Sequence, residues 1–261
     1  MEPSFSKLAL LMEYVGTRYR GFQIQKGRPT VQGELEEALR QLTGEPTRVV
    51  GASRTDSGVH ALGQVVSFGT TSRLPLVTFI KGLNYYLPED IVVIAIARVG
   101  LDFDARRNAL SRHYRYTILN RAVRSPLWLT RAYQVGRPLD AEAMARACQS
   151  LIGEHDFALL AGAGARPSTV RRVLRADVSR KGEWIVLDIE ANAFLPQQVR
   201  RTMGALVAVG NGQSSVEAFQ GLVQGRECAP PVQNAPAHGL CLVKVRYAEG
   251  TIVWRTRGED L

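Results

Sequence analysis

The first half of the chain alternates between the hydrophobic patterns of strands and of helices. A mostly apolar run over residues 7–14 is typical of a strand buried on both faces. Apolar residues at helical spacing predict one helix over residues 31–42 and a second over residues 76–87. Thr30 and Gly44 are the predicted N-terminal and C-terminal caps of the first helix. Further strands are predicted around 47–53, 64–68 and 91–99.

The second half mixes the same two patterns with different spacing. Asp140 precedes an apolar helix face over residues 143–151, and Lys181-Gly182 predicts the turn of a hairpin. Because strands and helices do not alternate strictly, the pattern favours an α+β fold with mixed or antiparallel sheets. The change between halves falls near residues 104–110. Strands are predicted at 113–120, 170–179, 184–191 and 239–247, and further helices at 199–207 and 216–223.

Composition excludes several classes of protein. The hydrophobic fraction of 45% and charged fraction of 22% are ordinary for a globular domain. The longest aliphatic run, residues 91–97, is too short for a membrane helix, and residues 1–16 lack the features of a signal peptide. Cys148, Cys228 and Cys241 form no CxxC motif. We therefore expect reduced thiols and a cytoplasmic protein.

The charge of the chain indicates the kind of partner it binds. Its 33 basic residues outnumber 24 acidic ones, and 28 of the 33 are arginines. A GC-rich genome would also enrich arginine, so the distribution matters more than the count. Residues 98–137 contain nine arginines and two acids, and residues 166–181 contain six bases and one acid. Two such blocks predict a face that binds a polyanion, since arginine suits bidentate contacts with phosphate.

The most unusual segment is the loop within residues 51–68, which combines Arg54, Asp56 and three glycines between two predicted strands. Taken alone, Asp56-Ser57-Gly58 is an ordinary turn signal. The functional alternative is that the loop presents a carboxylate and a guanidinium on a rigid platform, as binding loops often do.

Residues 54–61, followed by Gly63-Gln64-Val65, closely resemble the signature loop of the tRNA pseudouridine synthase I (TruA-type) family. The resemblance continues in the same order along nearly the whole chain. The other matching positions are 13–25, 30–32, Asn84 with 87–91, 103–106, 114–116, 153–157, 191–194 with Val199, Arg200 and Gly204, and 239–243.

The resemblance implies an isomerase that detaches uracil from its ribose in folded tRNA, rotates it and rejoins it through carbon. Asp56 matches the essential aspartate, which acts as nucleophile or base at the sugar. Tyr114 matches the tyrosine that packs on the target base, and Arg200 the basic residue that pairs with the aspartate. Arg54 matches the arginine thought to help displace the target nucleotide. No metal and no cofactor is expected.

These residue types suit the chemistry. An extruded base loses stacking worth a few kcal/mol, which an inserted arginine and an aromatic surface would offset. An aspartate held out of water tends toward its neutral form, and a nearby arginine such as Arg200 keeps it charged. The chain departs from the family pattern at Val15, Ser53, Ser57 and residues 196–198, none of which is a catalytic group. Pro196 is expected in a first helical turn, with Arg200 about one turn into the helix.

Each of these side chains also has an ordinary structural explanation. Tyr114 could belong to the core, and Arg200 beside Arg201 could lie on a solvated helix face. His60 and His113 show no ligand spacing and receive no role. Asp102 and Asp104 share a strand face without a third ligand, so no metal site is expected. Cys148, on an apolar helix face, is expected to serve packing.

From the pattern and the resemblance together we expect two similar α/β lobes, residues 1–105 and 106–261, with ferredoxin/RRM-like halves. The lobes would share a central mixed, largely antiparallel sheet flanked by helices, with the active cleft between them. The first lobe would carry the Asp56 loop, and the second Tyr114 and Arg200. The family further implies uridines 38 to 40 of the tRNA anticodon arm as targets, and a homodimer.

Two other functions remain open at this stage. A non-catalytic RNA-binding module could use aromatic strands, but the sequence pattern of RRM domains is absent. A metal-dependent nuclease would need clustered carboxylates and a divalent cation. Isomerisation that survives chelation would separate the synthase from both.

Overall fold

The computed structural model describes residues 5–162, 168–226 and 232–256. In chain order the strands are β1 (Ser6–Tyr14), β2 (Val50–Gly51), β3 (His60–Thr70), β4 (Ile91–Val99), β5 (Ser111–Asn120), β6 (Tyr133–Val135), β7 (Gly153–Asp156), β8 (Val170–Lys181), β9 (Trp184–Ala191), β10 (Leu240–Arg246) and β11 (Arg255–Thr256). The α-helices are α1 (Val31–Thr43), α2 (Leu76–Tyr86), α3 (Ala141–Gln149), α4 (Gln198–Gly210) and α5 (Val216–Val223).

Contacts within the chain divide it into two compact units, one of Met1–Leu110 with Leu242–Leu261 and one of Ser111–Cys241. Residues after 241 group with the N-terminal part because β10 lies beside β3 and β11 pairs with β4. The predicted lobes, 1–105 and 106–261, therefore differ from these units at the boundary and in the C-terminal residues. Whether the lobes are separate domains stays a prediction.

The first unit is a sheet in the order β11-β4-β1-β3-β10, with β2 added beside β3, and two helices. Strand β1 is central and antiparallel to both β3 and β4, which explains its apolar residues on both faces. Phe68 of β3 contacts Phe79 of α2, with the ring centroids 6.2 Å apart. The Thr30 hydroxyl caps α1 by accepting from Gly33 N, and Gly44 ends it in the left-handed conformation, as predicted.

The second unit is a sheet in the order β5-β9-β8-β7, with β6 parallel to β5, and three helices. The other strand pairs within this unit are antiparallel. Helix α3 contacts β8 and α4, and Asp140 caps α3 by accepting from Ala143 N at 2.9 Å. The predicted α+β class with largely antiparallel strands is confirmed.

Some predicted elements have different bounds. The strand expected at 47–53 is reduced to β2, and the one expected at 64–68 extends from His60 to Thr70 as β3. Strands β6 and β7 were not predicted, because their residues carry no clear alternation. None of the helices in the described part of the chain is long and apolar enough to cross a membrane. Cys228 and Arg166 lie outside the described residues.

Candidate active site

Asp56 lies in the loop that joins β2 to β3 in the first unit. Its side chain is partly exposed, and Arg54, two residues earlier, is exposed. Thr55 between them is buried. The loop therefore presents a carboxylate and a guanidinium outward from a peptide that is held in the protein interior.

Hydrogen bonds fix the backbone of this loop at almost every residue. They come from its own strands and from residues 19–22, which follow β1 along the chain. The bonds are Ala52 N to Val65 O (2.8 Å), Gln64 Nε2 to Ser53 O (2.7 Å), Phe22 N to Thr55 O (3.1 Å), Val59 N to Asp56 O (3.1 Å), Ser57 Oγ to Tyr19 O (3.2 Å) and Gly58 N to Tyr19 O (3.3 Å). A carboxylate on such a backbone is pre-organised, so little freedom is lost when substrate binds.

A buried network of polar groups beneath the loop holds the side chain of Thr55. The Tyr14 hydroxyl, at the end of β1, lies 2.8 Å from Thr55 Oγ1. Gln64 of β3 is fully buried, donates to the Tyr14 hydroxyl at 3.4 Å, and accepts from Ser53 N at 3.2 Å. The sequence pattern predicts no role for Tyr14 or Thr55. Their positions within segments that resemble the family were the only indication that they belong to the site.

His60 closes the loop at the start of β3. Its Nδ1 accepts a hydrogen bond from Gly16 N at 3.0 Å, and the ring is buried. Because Nδ1 accepts, it carries no proton, and the ring joins the loop to the turn after β1. His60 therefore has a structural role in the described residues, since it fixes the end of the loop.

A second carboxylate, Asp90, supports the same region from the segment before β4. It accepts from Arg18 Nε at 2.7 Å and from the Tyr19 hydroxyl at 2.6 Å. Burial acts to raise the pKa of the Asp90 carboxyl, but the hydrogen bonds from Arg18 and Tyr19, with the charge of Arg18, outweigh it and lower the pKa. The ionised Asp90 therefore fixes Tyr19, whose carbonyl accepts hydrogen bonds from Ser57 and Gly58.

Tyr114 is on β5 in the second unit and is buried, with 5% of its surface exposed. Its ring meets the ring of Phe194 edge to face, at 5.3 Å between centroids and an interplanar angle of 89°. This geometry is favourable for aromatic pairs and holds the tyrosine ring in one orientation. Phe194 follows β9 and belongs to the matching segment that ends at Gly204.

Arg200 is half-buried in the first turn of α4. The prediction that Pro196 occupies a first helical turn is wrong. The helix begins at Gln198, after Gln197 adopts a left-handed conformation with φ 59°, so Pro196 precedes the helix. The left-handed conformation of Gln197 cannot continue a right-handed helical turn, so no such turn starts at Pro196. Arg200 therefore lies closer to the helix start than expected.

The surroundings of Arg200 orient its side chain. Arg200 Nε donates to the Ala235 carbonyl at 2.9 Å. The pKa of nearby His238 is lowered by burial and also by the charge of Arg200, against a hydrogen bond with the Ala132 backbone that acts to raise it. A neutral His238 adds no second positive charge beside Arg200.

His113, which received no role, contacts Asp188 on the neighbouring strand β9 at 2.7 Å. Asp188 also accepts from Arg115 Nε at 3.0 Å. Its burial acts to raise the carboxyl pKa, but the hydrogen bonds from Arg115 and His113 outweigh this and lower it. These three side chains form a cross-strand hydrogen-bonded cluster, with Arg115 and Asp188 as its ion pair, that stabilises the β5–β9 pairing.

Of the predicted site residues, Arg54 and Asp56 lie in one loop of the first unit, and Tyr114 and Arg200 lie in the second unit. The predicted pairing of Asp56 with Arg200 stays a prediction. Within the described ranges, no group of three or more His, Cys, Asp or Glu side chains could hold a metal ion. Asp104 accepts instead from the backbone N–H groups of Arg106 and Arg107.

Comparison with known proteins gives consistent matches over most of the chain. Residues 10–107 and 147–248 match the model of a family described as tRNA pseudouridine synthase. The chain is 42% identical to tRNA pseudouridine synthase A of Geobacter sp. (strain M21), covering 93% of this chain and 99% of the relative. It is 45% identical to the protein of the same name from Roseiflexus castenholzii, covering 93% and 91%. The corresponding protein of Gloeobacter violaceus is 43% identical, covering 95% and 83%.

Proposed function

Since the chain belongs to the tRNA pseudouridine synthase family, whose activity is isomerisation on tRNA, we propose that it converts uridine to pseudouridine in the anticodon stem-loop. The predicted family and enzyme class are confirmed by these matches. The target positions, 38 to 40, and the catalytic role of Asp56 are the proposal.

Asp56 is the proposed catalytic carboxylate. In the isomerisation the bond between C1′ and N1 breaks, a bond between C1′ and C5 forms, C5 loses its hydrogen and N1 gains a proton. Atoms and electrons balance without an oxidant or a reductant. The Asp56 carboxylate acts at the sugar, as a nucleophile on C1′ or as a base, while the uracil rotates.

The observation that carries the proposal is the fixed backbone on both sides of Asp56. The Thr55 carbonyl accepts from Phe22 N, the Asp56 carbonyl accepts from Val59 N, and Gly58 N donates to Tyr19 O. An ordinary surface turn needs no such support from distant residues. A carboxylate that must reach one carbon atom of an extruded nucleotide needs a fixed backbone. Misplacement of a reacting group by about 1 Å can lower the rate ~100-fold.

Tyr114 and Arg54 are the proposed substrate-binding residues. The target base must leave its stack before the sugar can be reached, which costs a few kcal/mol. A base stacked on an aromatic ring regains about 1–3 kcal/mol. The Tyr114 ring, 5% exposed and edge to face with Phe194, is the proposed stacking surface. Arg54 is exposed on the same loop as Asp56, where it can occupy the space left by the base.

Arg200 is proposed to pair with Asp56 and keep it ionised. A positive charge near a carboxylate favours its charged form, and the guanidinium also orients it. The family resemblance further supports a cytoplasmic homodimer that acts on the anticodon arm of tRNA without a metal or cofactor.

The test is Asp56→Asn, with Asp102→Asn as the matched control because Asp102 is an exposed acid of the same unit. We expect Asp56→Asn to bind unmodified tRNA within about twofold of wild type and to form no pseudouridine, and Asp102→Asn to behave as wild type. Pseudouridine is mapped by chemical labelling and primer extension, in EDTA and in Mg²⁺.

Three results would overturn the proposal: pseudouridine made by Asp56→Asn, modification outside positions 38 to 40, or RNA cleavage that requires Mg²⁺. Binding of tRNA without any product by the wild-type chain would favour a non-catalytic RNA-binding protein instead.

A further inference from the structure

A short backbone segment, residues 233–236, lies against the first turn of α4. Ala235 N donates to the Arg200 carbonyl at 3.0 Å, and Arg200 Nε donates back to the Ala235 carbonyl at 2.9 Å. This reciprocal pair ties both the backbone and the side chain of Arg200 to one residue. Because a guanidinium is planar, a hydrogen bond at Nε sets the direction of its terminal nitrogens.

Gly204 provides the space for this segment one helical turn after Arg200. A Cβ atom at Gly204 would lie 1.9 Å from the Gln233 carbonyl oxygen and 3.5 Å from Ala235 N. Both contacts are with backbone, which cannot rotate away as a flexible side chain can. Any side chain at position 204 would therefore push the 233–236 segment off the helix and separate Ala235 from Arg200.

Tyr116 holds the other end of the segment. Its hydroxyl donates to the Pro236 carbonyl at 2.6 Å, and the residue is fully buried on β5. A Cβ atom at Gly239 would lie 2.7 Å from the Tyr116 ring, so the chain after the segment also follows the ring closely. The bond is partly buried, and loss of a hydrogen bond of this kind costs about 0.5–1.5 kcal/mol, so the hydroxyl anchors this end of the segment.

We propose that Tyr116 and Gly204 are positioning residues, which orient the Arg200 guanidinium through the backbone of the 233–236 segment. The inference rests on the proposed function, since it takes Arg200 as a residue of the reaction. Both residues lie in segments that match the family, yet neither has a place in the chemistry described above. Their contacts give them one, because both hold the segment that is bonded to Arg200.

The first experiment observes Arg200 directly, without catalysis. The Nε–H resonance of Arg200 is assigned in ¹⁵N spectra by its loss in Arg200→Lys. In wild type we expect slow exchange with solvent, because Nε is bonded to the Ala235 carbonyl. In Tyr116→Phe and Gly204→Ala we expect exchange to be at least about tenfold faster, the factor that corresponds to loss of one ordinary hydrogen bond.

Two matched variants control for loss of a hydroxyl and gain of a methyl group. Tyr247→Phe removes a phenol that donates to a backbone carbonyl, that of Ala105, also at 2.6 Å but in the other unit. Gly221→Ala adds a methyl group within α5, where the nearest atom would be 3.6 Å away. Both should leave Arg200 Nε–H exchange and turnover unchanged. Unchanged exchange in Tyr116→Phe would overturn the proposal even if Gly204→Ala failed to fold.

The second experiment measures single-turnover pseudouridine formation. We expect Tyr116→Phe to lower the rate constant about tenfold with tRNA affinity unchanged. In an Arg200→Lys background the same substitution should have no further effect, because the residue it positions is gone. An equal loss in both backgrounds would indicate a general structural role and contradict the inference. Wild-type turnover by Arg200→Lys and Arg200→Ala would instead contradict the proposed function, while the exchange measurement would still report on positioning.

Discussion

Gly16 lies so close to Val59 that a Cβ atom on the glycine would be 1.9 Å from the Val59 carbonyl oxygen. The same glycine donates its N–H to His60 Nδ1. The turn after β1 and the end of the Asp56 loop are thus in direct backbone contact, and only glycine permits it. A residue far from Asp56 in sequence therefore sets where the loop ends.

Gly16→Ala should displace this part of the loop. Overpacking of this kind costs about 1–3 kcal/mol, so we expect the free energy of unfolding in urea to fall by that amount. Pseudouridine formation should slow more than tRNA binding weakens, because Asp56 is displaced while the basic surface is intact. Gly136→Ala is the control, since the nearest atom to its Cβ would be 3.8 Å away. Equal effects of the two substitutions would contradict the prediction.

Asp90→Asn tests the ion pair that supports Tyr19. The pKa of Asp90 is lowered from its ordinary value of 3.8 in the folded protein, so its contribution to stability is present above that value and is lost as the pH falls through the folded pKa. We expect Asp90→Asn to unfold at lower urea concentration than wild type at pH 7, with the difference shrinking towards pH 3.

Asp102→Asn, which removes an exposed acid, serves as the control for Asp90→Asn. A difference that persists unchanged to pH 3 would mean that the Asp90 charge is not what stabilises this region. Loss of pseudouridine formation in parallel with stability would place the effect in the Tyr19 contacts with Ser57 and Gly58.

Local signals were sufficient to predict the five α-helices and the longer strands of the described residues. Helix α1 has a regular apolar spacing, a capping Thr30 and a left-handed Gly44, all of which are determined within 15 residues of sequence. Strand β4 has the predicted bounds because its apolar run lies in the sheet between β1 and β11, with one face buried. Strand β2 is shorter than expected, because only Val50 and Gly51 pair with β3 before the chain enters the Asp56 loop.

The roles of the candidate site residues stay predictions, and the contacts that support these residues could not be predicted from the sequence. The resemblance identified Asp56, Tyr114 and Arg200, while the contacts that fix them join residues distant in sequence. Tyr14 and Thr55 are 41 residues apart, and Arg200 and Ala235 are 35 apart. No periodicity or capping rule reports such pairs. The left-handed Gln197, after which α4 begins, likewise has a distant partner, since Asn234 Nδ2 donates to Gln197 Oε1 at 2.7 Å.

Cys148 should be chemically inert in the folded protein. It is fully buried on α3, and burial, with a smaller contribution from the charge of Asp177, raises the pKa of its thiol to about 12. Because the thiolate is the reactive form, iodoacetamide at pH 8 should leave Cys148 unmodified for hours in the native state. Peptide mass spectrometry before and after unfolding in urea measures this. Rapid native labelling of Cys148 would mean that α3 opens readily.

The arginine block of residues 98–137 should contribute to tRNA affinity through phosphate contacts. Arg124 and Arg131 are exposed, form no ion pair with any described residue, and lie in a stretch, residues 105–139, without an acidic side chain. Each phosphate contact contributes about 0.7–0.9 to the slope of log affinity against log salt. The double substitution Arg124→Gln with Arg131→Gln should therefore weaken tRNA binding and reduce that slope by about 1.5, as measured by filter binding over a salt series.

A second double substitution removes the same charge elsewhere and so isolates the effect of location. Arg40 and Arg48, in and just after α1, are paired with Glu37 and Glu36, at 2.6 Å and 3.1 Å. Exposed pairs of this kind add little stability, so Arg40→Gln with Arg48→Gln should fold normally. If the block binds phosphate, this variant keeps the wild-type salt slope. If both double variants reduce the slope equally, binding responds to net charge alone and the block has no special role.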